Sequence, residues 1–294
     1  MKRTILTHVG TSLFDARAFT RIYPRRKAGE LKEQFQRTPG YDGKDVEQAC
    51  RDALIEGLKD CWRAGIEPWK SCQDSPAEIA SLHMIGVRPG DRVMLVSSDT
   101  HAGTFCAQLL RECLNELRHL PFSAPDLDVP PVSRLTGVET QDGQAFVANG
   151  LPAYMKLIAH ERKNLDTEPG TQNYDHVPLL FNITGGYKGL IPFAMIAAQL
   201  LASHPHHNIA TKLVYYYHEG AHFIEVNTFF PLDWGKLRDI YPRIEYMCKP
   251  GGNTRERAPH NDKEIYPYCD ESGQPNALAY ALYYLIRDLK WIGS

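Results

Sequence analysis

Val177-Pro-Leu-Leu-Phe-Asn-Ile-Thr-Gly-Gly-Tyr-Lys-Gly189 is a short apolar run that stops at Thr184-Gly-Gly and leads into a second apolar stretch, residues 189–202. The run has no polar alternation and is too short for a helix, so it reads as a strand buried on both faces, with a helix after the turn. The same order recurs upstream. Arg92-Val-Met-Leu-Val-Ser leads through Ser98-Asp99-Thr100 into a helical pattern from about His101 to Leu117, and Ile5-Leu-Thr-His-Val9 stops at Gly10-Thr11-Ser12. Downstream, Lys212-Leu-Val-Tyr-Tyr-Tyr and Phe223-Ile-Glu-Val are separated by five residues, which signals a hairpin. Three strand-turn-helix units and a closing hairpin describe an α/β domain with a largely parallel sheet.

Between these units, residues 45–66 carry apolar positions at helical spacing, ended by Gly65 and Pro68. Ser75-Pro-Ala-Glu78 has the spacing of a capping box, with Glu78 expected to fold back on the first turn of a helix. Residues 13–42 are rich in Arg, Lys and aromatics and read as an irregular or partly helical excursion. Residues 134–147 suggest a short strand pair around Asp142-Gly143, and a further helix opens at Gly150-Leu-Pro-Ala. From Pro231 to Pro275, turn formers and charges dominate, and residues 276–292 read as one amphipathic helix. The expected organisation is a main unit over residues 1–230 and a small C-terminal helical appendage over 231–294.

The chain has 294 residues, 43% apolar and 23% charged, which excludes a disordered or fibrous composition. Lys and Arg total 33 against 35 Asp and Glu, so there is no basic field for coating duplex nucleic acid. No window approaches the roughly 18 apolar residues of a spanning helix, and the first residues lack a signal peptide pattern, so a cytoplasmic protein without membrane contact is expected. Seven scattered cysteines argue against a disulfide framework.

Several metal-like patterns are weak. His218-Glu-Gly-Ala-His222 matches the zinc-peptidase spacing, but that chemistry needs a helix, and β-forming residues flank Gly220 on both sides. A hairpin tip is the better reading. His204-Pro-His-His207 has no acidic partner nearby, and Cys248, His260 and Cys269 lack a paired-cysteine knuckle. Neither a metal nor a cofactor is expected.

More informative are the polar turns after the strands. In an open parallel sheet, ligands bind beyond the carboxyl ends of the strands, where helix N-termini gather free amides. Three turns belong to that edge: Gly10-Thr11-Ser12, Ser97-Ser98-Asp99-Thr100, and Asn182-Ile-Thr184-Gly185-Gly186-Tyr-Lys188. Two glycines permit close backbone approach, and Lys188 adds a positive charge at a helix start, which suits a phosphate. The same residues also fit a plain tight turn with a solvated lysine. Neither a GxGxxG nor a GxxxxGK followed by Ser or Thr is present, so dinucleotides and Walker-type triphosphate sites are not indicated.

Thr4-Ile-Leu-Thr-His-Val-Gly-Thr-Ser-Leu, Leu95-Val-Ser-Ser-Asp-Thr and Phe181-Asn-Ile-Thr-Gly-Gly-Tyr-Lys-Gly, in this order, resemble the CARF domains, the CRISPR-associated Rossmann-fold sensors of type III systems. The resemblance covers about residues 1–230. It implies a Rossmann-like fold and a homodimer whose two sheets form one symmetric pocket for a cyclic oligoadenylate, most often the four-adenylate ring. Its first-strand turn falls on Thr11 and Ser12, its Gly-Gly-x-Lys motif on Gly185, Gly186 and Lys188, and its second turn on Ser97 to Thr100. A two-fold ring suits a two-fold pocket, each protomer supplying the same loops.

The resemblance leaves two outputs open. Some members only sense the ring as part of a larger effector. Others cut it without a metal, a ribose 2′-hydroxyl attacking the adjacent phosphate to leave a 2′,3′-cyclic phosphate. In the cutting case Lys188 stabilises the developing charge, and Ser12 holds the phosphate or the attacking hydroxyl in line. Residues 231–294 are too few for most effector domains. Arg255-Glu-Arg-Ala-Pro-His260 has the arginine-histidine spacing of HEPN ribonucleases without their flanking long helices.

Overall fold

The computed structural model describes residues 3–14, 25–38, 43, 46, 48–64, 76–117, 127–138, 145–166, 178–203, 211–217, 222–227, 233–249, 266–269 and 274–291. Six strands form one sheet: β1 (Thr4–Val9), β2 (Arg92–Ser98), β3 (Ser133–Leu135), β4 (Leu179–Asn182), β5 (Thr211–Tyr217) and β6 (His222–Asn227). Their order is β3-β2-β1-β4-β5-β6, the first five parallel and β6 antiparallel to β5. The described α-helices are α1 (Arg25–Arg37), α2 (Gln48–Ala64), α3 (Ala77–Ile85), α4 (His101–Leu117), α5 (Leu151–Asp166), α6 (Ile191–Ser203), α7 (Trp234–Cys248) and α8 (Ala277–Leu289). This is the mostly parallel, Rossmann-like α/β sheet with a closing hairpin that the sequence leads one to expect.

β1 lies inside the sheet, and the chain builds outward from it in two directions, first to β2 and β3, then across to β4 and β5. Parallel crossovers are right-handed, so reversing direction moves the connecting helices to the other face. Helices α1 to α4 accordingly pack with Ile5, Val93, Leu95, Leu180 and Val214. Helices α5 and α6 pack with Leu6, Met94, Phe181 and Leu213. Successive strand side chains point to opposite faces, and both faces are covered, which is why these strands read as unbroken apolar runs. Each fully buried Leu or Phe contributes about 1.5–3 kcal/mol.

The amino-terminal edge of the sheet is held by charge. The buried Arg3 guanidinium donates to Asp91 from Nε at 3.1 and 3.2 Å and from Nη2 at 2.5 Å, and Asp91 also accepts the Arg88 N–H at 2.8 Å. Arg92 pairs with Asp128 and, at 2.9 Å, with Glu161.

Three local expectations are corrected. The turn-rich stretch after Pro231 contains a helix that the sequence reading missed, α7, capped by Asp233 accepting the Lys236 N–H at 3.0 Å. Its apolar stripe of Leu237, Ile240, Tyr241, Ile244 and Cys248 was masked by intervening charges and Pro242. Both α7 and α8 join the core that contains Phe181, and α8 lies along α5. The strand pair around Asp142-Gly143 is not formed as expected: Ser133–Leu135 pairs parallel with β2, and Phe146–Gly150 is a π-helical turn entering α5. Residues 139–144 lie outside the described residues. The Ser75-Glu78 capping box is also not formed as expected. Pro76 stands at the cap of α3 with no side-chain cap bond, and Glu78 bonds elsewhere; Ser75 is outside the described residues.

Candidate functional site

β1 and β4 are neighbours at the point where the strand order reverses, so their carboxyl-end turns lie side by side. The β1 turn runs through Gly10 and Thr11 into a 3-10 turn, Ser12–Phe14. The β4 turn runs through Thr184, Gly185, Gly186 and Tyr187 into a second one, Lys188–Leu190, which opens α6. Gly186 adopts φ of 74°, where an L side chain is strained. A Cβ on it would lie 2.8 Å from the His8 Cβ, and one on Gly10 would lie 2.9 Å from the Gly186 nitrogen. A Cβ on Gly185 would run into the Glu78 carboxylate and, at 2.5 Å, the His8 carbonyl. The glycines are thus spent on bringing the two turns into contact.

Glu78, on the first turn of α3, is fully buried beneath this contact. Its carboxylate accepts the Gly10 N–H at 2.9 Å through one oxygen and the Ser12 hydroxyl through the other. Ser12 Oγ in turn accepts the Ala77 N–H at 3.3 Å. One turn of helix further, Ser81 accepts from the buried Asn182 amide at 2.8 Å and donates to the Glu78 carbonyl at 3.0 Å. Asn182 Oδ1 accepts the Thr184 N–H at 3.4 Å. Helix α3 therefore ties together both turns. Its Ser-x-x-Glu spacing concealed this, because a local capping motif and a long-range anchor look alike in one dimension.

Lys188 is exposed as a residue, its ammonium partly enclosed by the turn. Its Nζ donates to the Thr184 carbonyl at 2.5 Å and stands 5.5 Å above the Tyr215 ring. Burial pushes its pKa down, and the charge of Glu78 opposes that. Beneath it His8 is buried, with Nε2 2.9 Å from the Tyr154 hydroxyl. Burial, and then the charge of Lys188, push the His8 pKa down to about 4, so the ring is neutral near pH 7. Burial drives the Tyr154 phenol upward, so it keeps its proton. His8 Nδ1 is buried with no partner among the described residues, as are Thr7 Oγ1 and Ser97 Oγ. Neither His8 nor Tyr154 was singled out from the sequence, where a lone histidine in a strand carries no signal.

The β2 turn uses its polar groups locally. Thr100 caps α4 by accepting the Gly103 N–H at 2.8 Å, and its hydroxyl is 3.0 Å from that of Ser98. Asp99 faces β3, accepting the Gly137 N–H at 2.7 Å through its carboxylate and Arg134 Nη2 at 2.7 Å through its carbonyl. Tyr187 is 41% exposed, with its ring 6.1 Å from that of Phe146, and so presents an aromatic edge beside the Gly-Gly turn.

The metal-like motifs do not assemble. Tyr217 and His222 are paired across the antiparallel β5-β6 ladder, so His222 lies on a strand and not on the helix that zinc-peptidase chemistry needs. His218, Glu219, the 204–207 cluster, Arg255 and His260 lie outside the described residues. Among the described residues no group of three or more His, Cys, Asp or Glu could hold a metal, and no helix is long and apolar enough to cross a membrane. Cys248 is buried beside Cys269, and its thiol is pushed up to about 12 by burial and then by that neighbour.

No curated protein matches the chain. A protein-family model described as CRISPR-associated protein (Cas_APE2256) matches residues 74–226, a segment that begins just before α3 and ends in the closing hairpin, and so holds Glu78, the β2 turn and the Gly-Gly-Tyr-Lys turn. That match spans just over half of the sequence, and with the sheet and turns above it means that the chain belongs to this CRISPR-associated family, the CARF-domain family of type III CRISPR systems.

Proposed function

We propose that the chain binds a cyclic oligoadenylate, the four-adenylate ring, as a homodimer in type III CRISPR antiviral signalling, and that it cuts the ring without a metal. The observation that supports this reading is the contact between the β1 and β4 turns, from which Ser12 and Lys188 each open a 3-10 turn at the carboxyl edge of the sheet. Lys188 supplies the charge for a phosphate, Thr11 and Thr184 supply small polar groups beside it, Ser12 serves the adjacent ribose, and the Ser97 to Thr100 turn lines the same edge with its backbone. The exposed Tyr187 ring offers a face on which an adenine can stack. Residues 1–230 form the ligand-binding unit in this reading, and residues 231–294 cover the sheet face opposite α3 through α7 and α8.

The cutting step asks the protein for in-line positioning and charge stabilisation, because the nucleophile belongs to the ligand. The test incubates excess protein with labelled cyclic tetra-adenylate in the presence of a chelator and resolves the products by chromatography. Linear products ending in a cyclic phosphate are expected. Bound but intact ring would make the protein a sensor acting through a larger effector, and absence of binding would overturn the reading.

A further inference from the structure

Ser12 was assigned either to the phosphate or to the attacking hydroxyl, and Glu78 decides between them. A hydroxyl has one proton to donate and two lone pairs. The Ser12 proton is directed at Glu78 Oε2, and one lone pair faces the Ala77 N–H at 3.3 Å. What is left for a ligand is a single acceptor site. A phosphate oxygen has nothing to give to an acceptor, whereas a ribose 2′-hydroxyl does. Glu78 is itself held in place by the Gly10 N–H at 2.9 Å, and a side chain on Gly185 would collide with it, so the carboxylate has little freedom to turn away.

We propose that Glu78 is a positioning residue that makes Ser12 an obligate acceptor for the ligand's ribose 2′-hydroxyl and provides the exit for its proton. This rests on the ligand being a cyclic oligoadenylate. In the cutting step the 2′-oxygen forms a bond to the adjacent phosphorus, and the bond from that phosphorus to the 5′-oxygen breaks. The 2′-hydroxyl proton passes to Ser12 Oγ as the Ser12 proton passes to Glu78. The departing 5′-oxygen takes a proton from the Lys188 ammonium. The products are a 2′,3′-cyclic phosphate and a 5′-hydroxyl; Glu78 returns its proton to solvent through Ser12, and Lys188 regains one from water.

The experiment measures binding of two probes in the cold, before turnover: cyclic tetra-adenylate and the same ring with 2′-deoxyriboses. The wild type is expected to prefer the ribose ring about tenfold, the loss of one hydrogen bond. Ser12→Ala is expected to lose that preference. Glu78→Gln keeps the side-chain volume but can donate to Ser12, which frees the serine proton for a phosphate oxygen present in both rings, so the deoxyribose ring gains a bond and the preference should also shrink. Glu78→Gln should bind the ribose ring within a few-fold of wild type yet cut it about a hundredfold more slowly, the scale of lost proton transfer. A purely structural Glu78 predicts unchanged ribose preference in any Glu78→Gln protein that melts like wild type, and that result overturns the proposal. If Glu78→Gln does not fold, Ser12→Ala decides, since retention of the full preference there also overturns it. Failure of the ligand reading shows earlier and separately, as wild-type protein that binds neither ring.

Discussion

Acidification should destabilise this protein through His8, by an amount that follows from its burial. Its folded pKa, about 4, lies below the ordinary value of 6.5, because burial and then Lys188 penalise the imidazolium. A depressed histidine contributes its full stability above the unfolded pKa and loses it as pH falls from about 6.5 towards 4. At pH 5 proton binding favours the unfolded chain by a factor of roughly 30, and RT ln 30 is about 2 kcal/mol; at pH 7 the same effect is about 0.2 kcal/mol. The comparison is urea unfolding at pH 7 and pH 5 for wild type and for His8→Gln, whose other titrating groups are shared. Wild type should lose about 2 kcal/mol more than the variant over that interval, a midpoint difference of roughly 0.7 M for a slope near 3 kcal/mol/M. Equal losses in the two proteins would refute the reading of His8 as a buried neutral ring.

Lys188→Ala should weaken binding of cyclic tetra-adenylate by about 30-fold, the scale of a charged hydrogen bond to phosphate, while leaving the melting temperature nearly unchanged; calorimetric binding equal to wild type would remove Lys188 from the site. Gly186→Ala combines an unfavourable φ of 74° with a Cβ at 2.8 Å from that of His8, and should cost about 2 kcal/mol in denaturant unfolding and separate the β1 and β4 turns. Asp91→Asn leaves the buried Arg3 charge without its partner carboxylate and should cost about 3 kcal/mol, with ring binding in the surviving folded protein unaffected because the pair lies at the opposite edge of the sheet. A loss below about 1 kcal/mol in that variant would mean that Arg3 finds another acceptor or water.

Much of the architecture is legible in one dimension because strands buried on both faces must be apolar at every position. Arg92-Val-Met-Leu-Val-Ser and the run before Asn182 announce themselves in this way, and the turns after them mark the carboxyl edge of the sheet. Helix α7 was hidden because its apolar stripe is diluted by charge on the exposed side, where composition carries no information about packing.

The sequence by itself determined the strand-turn-helix units of β1, β2 and β4, the hairpin at the end of the sheet, and the Gly-Gly-Tyr-Lys turn, since each depends on periodicity or on backbone freedom within a few residues. Only the tertiary structure decided that β1 lies between β2 and β4, that Gly10 and Gly186 touch, and that Glu78 leaves its local cap to hold Ser12 across 66 residues of chain. Sequence spacing specifies which groups share a helix face, but a hydrogen bond between distant segments depends on the order and handedness in which strands assemble, and a buried carboxylate takes whichever donors that assembly places beside it.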